Sequence, residues 1–219
     1  MTLQWKARVL SNLIPKDHGY RSLLDIGCAE GILTDELSRL LNITLAVGID
    51  ISRLFIQWGK ERHKTIQLIH GDGSLPFKDK SFDLTICSDF IEHLSEVSKF
   101  LQNIKRVSKF VLFKIPIESC LVGNLLRRVG VYENVGKDHP SGHIHLFSKK
   151  SAMNIVEQNG FSIIRYSFEI TPQNILYYGV PKAKFYLNPF IYLERMSRRF
   201  FRRWYIPLWG GHLFVLCKG

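Results

Sequence analysis

Hydrophobic and polar residues alternate along this 219-residue chain in a pattern typical of an α/β protein. Short apolar runs predict buried strands, because strands covered on both faces are apolar almost throughout. Between most of these runs, apolar residues recur at helical spacing. Strands are predicted at 23–26, 44–50, 65–72, 81–90, 108–116, 161–170 and 212–218, and helices at 1–15, 32–40, 52–63, 95–107 and 148–160. The alternation predicts an α/β fold with a mainly parallel sheet and helices on both faces.

The stretch LLDIGCAEG, residues 23–31, is the strongest local signal. Its apolar start suits a buried strand, and Gly27, Ala29 and Gly31 then form a turn with almost no side-chain bulk. A strand, a small-residue turn and a helix N-terminus together form the usual nucleotide cradle of α/β proteins. The alternative is a purely structural turn between strand and helix.

Three predicted strands carry an acid at or near their carboxyl ends: Asp25, Asp50 and Asp72. The carboxyl ends of parallel strands meet at one sheet edge, where ligands bind in open α/β sheets. Asp50 directly follows its strand, as a carboxylate that binds ribose hydroxyls should. Asp72 is placed to accept from an adenine amine, with Ile51 and Leu75 flanking the ring.

The motifs DIGCAEG, GIDIS, HGDGSLPF and SFDLTICSDFIEHL, in this order, resemble the class I S-adenosylmethionine-dependent methyltransferases. More narrowly, they are similar to the type 11 subgroup, which includes quinone-biosynthesis enzymes. The resemblance covers about residues 20–165 and the closing strand at 212–218. It implies a Rossmann-like sheet of seven strands whose last strand is antiparallel, with S-adenosylmethionine as the methyl donor. The predicted donor-binding residues are Asp25, Gly27, Cys28, Ala29, Gly31, Asp50, Ile51, Asp72, Gly73 and Ser88, the last through the resemblance alone.

The same turn argues against a dinucleotide cofactor. A GxGxxG turn needs glycine near positions 29 and 32, where this chain has Ala29 and Ile32. The following helix N-terminus would instead face the methionine carboxylate of the donor.

The methyl acceptor is expected beyond the fourth strand, near Asp89, Glu92 and His93. The protein has to align the acceptor with the methyl group and, where needed, remove a proton. In quinone-pathway O-methyltransferases a similar acid-x-x-Glu-His run contributes to a divalent metal site. The other interpretation, which we favour, is that this run caps or orients the next helix. No metal is then predicted, and His93 is a candidate base.

Residues 117–147 are predicted to be irregular and contain His139, His143 and His145. A His-x-His pair can ligate metal, but on a strand both rings would point to one face and need further ligands. By the resemblance, GHIHLFS precedes the fifth helix, where a histidine often borders the active site, and His143 takes that position. A plain loop histidine is the equal alternative. The predicted catalytic residues are Glu92, His93 and His143.

The net charge of +11 is concentrated near the C-terminus, because residues 180–219 alone carry +7. Arginines at 195, 198, 199, 202 and 203 share one predicted helix face, with Met196, Phe200 and Trp204 on an apolar face. We expect residues 171–210 to be an insertion or lid within a single methyltransferase domain spanning 1–219. The insertion either packs on its own domain, contacts an anionic membrane surface through residues 190–209, or grips RNA phosphates.

The predicted function is methyl transfer from S-adenosylmethionine to a small or lipid-like acceptor at O, N or C. The alternatives are an RNA methyltransferase that uses the basic helix and a non-catalytic donor-binding partner subunit. Four scattered cysteines without a CxxC pair favour a reducing, cytoplasmic location, with membrane association as an addition.

Overall fold

The computed structural model describes residues 3–130, 142–170 and 202–219, together with Leu193, Met196, Ser197, Arg199 and Phe200. Within them lies a seven-stranded sheet of order β3-β2-β1-β4-β5-β7-β6. The first five strands pair in parallel, and β7 runs antiparallel between β5 and β6. This confirms the predicted Rossmann-like sheet with an antiparallel last strand. The strands are β1 Ser22–Ile26, β2 Leu45–Asp50, β3 Gln67–His70, β4 Phe82–Ser88, β5 Ser108–Ile117, β6 Ser162–Glu169 and β7 Gly211–Lys218.

Helices cover both faces of this sheet, as predicted. One buried cluster joins the sheet to α4 and α6 through residues such as Leu101 and Val156. The other joins it to α1 and α2 through Leu10 and Leu37. The helices are α1 Leu3–Leu13, α2 Ile32–Leu40, α3 Arg53–Arg62, α4 Val97–Val107, α5 Leu121–Arg128, α6 Lys149–Gln158 and α7 Arg202–Trp209.

Four predicted strand ends, those of the third to sixth strands, differ from the observed ones by one or two residues, and two of them bear on the argument. The third strand ends at His70, so Asp72 lies in the following loop rather than at the strand end. The fifth strand continues past Pro116 to Ile117, although a proline cannot donate to a ladder. The Lys114 carbonyl accepts from Asp89 on the β4 side, and Pro116, two residues on, faces that side beyond the end of β4. Its missing N–H therefore costs no sheet hydrogen bond.

The stretch 117–147 is not wholly irregular, because it contains α5. The helix begins after Cys120, whose thiol accepts a hydrogen bond from the Gly123 amide. It follows the carboxyl end of β5 and packs against α7. Residues 131–141, including His139, lie outside the described part of the chain.

None of the helices in the described part of the chain combines the length and apolar composition needed to cross a membrane. Residues 171–192 of the predicted insertion lie outside the described residues. The assignment of 1–219 to one domain stays a prediction.

Candidate active site

The loop from β1 to α2 is a tight turn held against β2. The amides of Gly27 and Cys28 both donate to the carbonyl of Ile49, at 2.8 and 3.1 Å. Gly27 has φ +74°, and a Cβ placed there would lie 2.7 Å from the Phe90 ring. Glycine is therefore required at position 27 by both backbone conformation and packing. Ala29 also has a positive φ, of 49°, which an alanine adopts only at a cost.

Asp50 links this turn to the start of α3. Its carboxylate accepts from the Ala29 amide and from the Ser52 amide, each at 2.8 Å. A carboxylate has about four acceptor sites, so about two remain for a ligand. The side chain is half-buried at the carboxyl end of β2. The Asp50 carboxylate is therefore ordered by two backbone amides and keeps about two acceptor positions open.

Other predicted donor-site residues surround the same edge. Ile51 is 73% exposed, an uncommon exposure for a large apolar side chain, and is free to pack on a base. Asp72 is exposed, and the Ser74 amide holds the pKa of its carboxyl below the ordinary value. Gly73 has φ +82° and lies against the Phe100 ring. Leu75 is fully buried, so the expectation that it flanks the ring is wrong.

Three predicted donor-site residues are buried instead. Asp25 lies within β1 and accepts a 2.6 Å hydrogen bond from Thr34, and burial raises the pKa of its carboxyl to about 6. The Cys28 thiol packs beneath Gly48, and burial raises its pKa. Ser88 ends β4 and donates to Asp89 at 3.3 Å. Their roles toward the donor stay predictions.

Helix α2 begins behind Gly31, which has no side chain to cap the helix. The amides of its first turn are thus open toward the glycine turn, where a carboxylate is favourably placed. An uncapped helix N-terminus, an acceptor with open sites and an exposed apolar side chain fit the carboxylate, ribose and base of an adenosyl amino acid.

Asp89 lies beyond the end of β4 with φ +54° and is held between two lysines. Lys6 of α1 donates to it at 2.7 Å, and the buried Lys114 of β5 also donates to it. Burial alone would raise the pKa of the Asp89 carboxyl, but the two ammonium groups hold it well below its usual range. Asp89 is therefore ionised and already engaged by two cations.

Glu92 sits in the short 3-10 turn Ile91–His93 and is completely buried. Among the described residues, neither of its carboxylate oxygens has a hydrogen-bond partner. The nearest cation is His143, whose Nε2 is 4.0 Å from Oε1. Burial, and then the charge of Asp89, raise the pKa of Glu92 to about 7. A buried carboxyl of this kind can gain or lose a proton near neutral pH.

His143 is oriented by a second carboxylate. Its Nδ1 donates to Glu118 at 2.7 Å, and its ring lies 4.8 Å from that of His93. Burial lowers the pKa of His143, but the hydrogen bond and charge of Glu118 outweigh it, and the net pKa is raised. His93 is exposed and donates to the Gly142 carbonyl at 3.0 Å. The three predicted catalytic residues therefore lie together.

Among the described residues, Glu92, His93 and His143 could hold a metal ion, because their ligand atoms lie within 4.8 Å of one another. Asp89, the first acid of the predicted run, is paired with lysines instead. Residues 142–146 form no strand, in agreement with the irregular segment predicted there. His145 Nε2 donates to the Leu94 carbonyl at 2.8 Å, away from His143. The absence of a metal stays a prediction.

Comparisons with known proteins agree with this interpretation of the site. Residues 24–110 match the family model described as a methyltransferase domain, type 11. Over this segment, residues 24–110, the chain is similar to the S-adenosylmethionine-dependent methyltransferases. S-adenosylmethionine is the methyl donor of this family, and the donor cradle described above fits it.

Two curated relatives of this methyltransferase are similar over part of their length. The mitochondrial ubiquinone biosynthesis O-methyltransferase of Saccharomyces cerevisiae is 31% identical over 135 residues, which are 57% of this chain and 42% of that protein. The phthiotriol/phenolphthiotriol dimycocerosates methyltransferase of Mycobacterium tuberculosis is 32% identical over 73 residues, which are 32% of this chain and 27% of that protein. The chain thus spans less than half of either relative.

Among solved structures, an S-adenosylmethionine-dependent methyltransferase from Archaeoglobus fulgidus has a TM-score of 0.64 at 19% identity. The match covers 100% of this chain and 95% of that one. At this identity it shows the fold alone.

Three residues of the methyltransferase site were missed at the sequence level: Lys6, Lys114 and Glu118. Lys114 carries a signal, because it is a lysine inside the apolar run VLFKIP of a central strand. A buried lysine requires a charged partner. Lys6 and Glu118 carry no such signal, because their partners are 83 and 25 residues away.

Proposed function

We propose that this protein transfers the methyl group of S-adenosylmethionine to a hydroxyl of an apolar or lipid-like acceptor. The observation that carries the proposal is the presence, at one sheet edge, of both a donor cradle and a buried carboxylate that has no hydrogen-bond partner among the described residues. The cradle comes from the ends of β1 and β2, and the carboxylate, Glu92, from the segment after β4. The printed names of the two curated relatives support an oxygen acceptor and a lipid-like one.

Glu92 is the proton acceptor in this proposal. A hydroxyl that attacks a methyl group must lose its proton, and a base with a pKa near the working pH serves best. The pKa of Glu92 is raised to about 7 by burial, which places it in that range. A hydroxyl donating to Glu92 would also supply the hydrogen bond that this carboxylate lacks.

In this proposal, His143 assists Glu92, and Glu118 orients His143. Glu118 holds Nδ1 of His143, so Nε2 faces Glu92. A protonated imidazole there stabilises the ionised carboxylate, and a neutral one, with its proton on Nδ1 toward Glu118, can accept a proton from Glu92 at Nε2. Lys6 and Lys114 pair with Asp89, so Glu92 rather than Asp89 is left to accept the proton of the acceptor.

The first experiment tests donor binding, which the proposed function and both alternatives require. Calorimetry should detect S-adenosylmethionine binding, and Asp50→Ala should weaken it about 100-fold, since two charged hydrogen bonds are lost. Asp79→Ala, an exposed acid in the loop before β4, is the matched control and should bind normally. Labelled-methyl transfer to hydroxylated, apolar acceptors then tests the reaction. Undiminished binding by Asp50→Ala, or no transfer to any hydroxyl by a donor-bound protein, contradicts the proposal.

The RNA methyltransferase and the donor-binding partner subunit remain alternatives from the sequence. In the same assay, transfer to RNA alone would favour the first, and donor binding without transfer would favour the second. The predicted cytoplasmic location and the membrane contact through residues 190–209 also stay predictions.

A further inference from the structure

Helix α5 exposes a stripe of aliphatic side chains. Leu121, Leu125 and Val129 follow one another at intervals of four, which places them on one side of the helix. Near α7, Phe200 and Trp204 are exposed as well. These five residues, here called the apolar face, are each between 51% and 65% exposed. Exposed large apolar side chains grouped in this way mark an interaction surface.

The apolar face lies at the acceptor end of the molecule. Helix α5 starts directly after the carboxyl end of β5, and its Arg127 donates to the Glu118 carbonyl at 3.1 Å. Helix α7 ends at Trp209, and a Cβ added to the next residue, Gly210, would lie 2.3 Å from the Ile117 carbonyl oxygen at the same strand end. The two helices pack on each other. The surface therefore adjoins the segment that carries Glu118, the partner of His143.

The sequence segments that carry this surface are rich in basic residues. Helix α5 contains Arg127 and Arg128 and no acid, and residues 195–219 contain five arginines and a lysine and no acid. Arg128 and Arg199 are exposed, and the Arg199 guanidinium lies 5.5 Å from the centre of the Phe200 ring. Exposed aliphatic and indole side chains together with the exposed Arg128 and Arg199 match the interface of an anionic bilayer, which offers hydrocarbon beneath negative headgroups.

We propose that the apolar face docks on an anionic lipid bilayer, with Leu121, Leu125, Val129, Phe200 and Trp204 entering the interface and nearby arginines binding headgroups. This inference rests on the proposed function, because docking would deliver a lipid-like acceptor directly to the Glu92 end of the site. The bilayer is the occupant that accounts for both the apolar stripe and the exposed arginines.

The test is vesicle flotation of the full chain. It compares phosphatidylcholine vesicles with phosphatidylcholine–phosphatidylglycerol vesicles and requires no turnover. We expect binding to the anionic vesicles that weakens at high salt. Leu125→Ser/Trp204→Ser should reduce the partition coefficient at least tenfold, and Arg128→Gln/Arg199→Gln about fivefold for each arginine.

Leu40→Ser/Leu45→Ser is the matched control, because both leucines are similarly exposed at the amino end of β2, away from the acceptor end. It should float like the unchanged protein. Calorimetry with S-adenosylhomocysteine checks that each variant keeps its donor site. If the unchanged protein fails to bind the donor, the proposed function is contradicted. The flotation experiment still tests the docking proposal, because it requires no donor.

Three outcomes overturn the docking proposal. The first is no binding of the unchanged protein to anionic vesicles. The second is equal binding of the serine pair and the unchanged protein. The third is a dimer, measured by light scattering, that Leu125→Ser/Trp204→Ser converts to monomer without changing flotation, which would mean that a second copy covers the face.

Discussion

Replacing Glu92 with glutamine should make the protein more stable at pH 8 while removing its activity. Glu92 is completely buried, and its carboxylate lacks a hydrogen-bond partner among the described residues. Burial, followed by the charge of Asp89, raises the pKa of Glu92 from 4.5 to about 7. Glutamine has nearly the same shape and never ionises, so it removes the cost of charging this side chain.

The sign and size follow from the two pKa values. Below pH 4.5 the carboxyl is protonated in both the native and the unfolded chain, and its charge costs nothing. As the pH rises from 4.5 to 7, the unfolded chain releases the proton and the native protein keeps it, so the native state loses relative stability. Above pH 7 the loss is complete, at about 3 kcal/mol.

The assay is urea unfolding of both proteins at several pH values between 4.5 and 8. The stability of Glu92→Gln relative to the unchanged protein should increase by about 3 kcal/mol over this range. In a chain of this size, that corresponds to a rise in melting midpoint of about 6–12 °C. Methyl transfer by the variant should fall by about 10²–10⁴-fold, as expected for loss of a general base.

Glu61→Gln is the control, since Glu61 is an exposed acid on α3 and its replacement should add no stability that varies with pH in this way. A stability difference between Glu92→Gln and the unchanged protein that is constant from pH 4.5 to 8 would refute the reasoning. It would mean that Glu92 ionises in the native protein as easily as in the unfolded chain.

Two further predictions concern neighbouring contacts. Thr34→Val should destabilise the protein by about 1–3 kcal/mol in thermal unfolding, because the buried Asp25 loses its 2.6 Å hydrogen bond. Thr44→Val, at an exposed threonine, should cost less, and equal losses would contradict this account. Glu118→Gln should lower the pKa of His143, whose raised value depends on the Glu118 hydrogen bond and charge. The His143 titration followed by proton NMR should move to lower pH, and an unmoved titration would remove Glu118 from the proposed site.

The donor half of the site could be predicted from the sequence because it is local. Gly27, Ala29 and Gly31 belong to one turn, and Asp50 follows the next strand along the chain. The carboxyl ends of adjacent parallel strands must meet, so the pattern of strands alone places these residues together. Glu92 and His93 were found in the same way, because they follow β4 at the same edge.

The acceptor half could not be predicted, because it depends on contacts between distant segments. Lys6 reaches Asp89 across 83 residues, and Glu118 meets His143 only after the chain has left the sheet and returned. Helix α5 was missed because it is eight residues long and lies in a stretch rich in glycine. A helix of that length is not stable by itself, so α5 forms because it packs against α7.

The two halves of the site also differ in how they satisfy their polar groups. Asp50 accepts two backbone amides, and Asp89 pairs with two lysines, so both acids are stabilised in the free protein. Within the described residues, Glu92 is buried with no hydrogen-bond partner and with His143 at 4.0 Å, and its burial lowers the stability of the fold. Buried polar groups are rarely left in this state unless a ligand or a reaction uses them. An acceptor that brings a hydroxyl to Glu92 removes the penalty, whereas an analogue without that hydroxyl leaves it in place. In the proposed reaction, the same buried carboxylate that destabilises the protein would give the site a means of selecting hydroxylated acceptors.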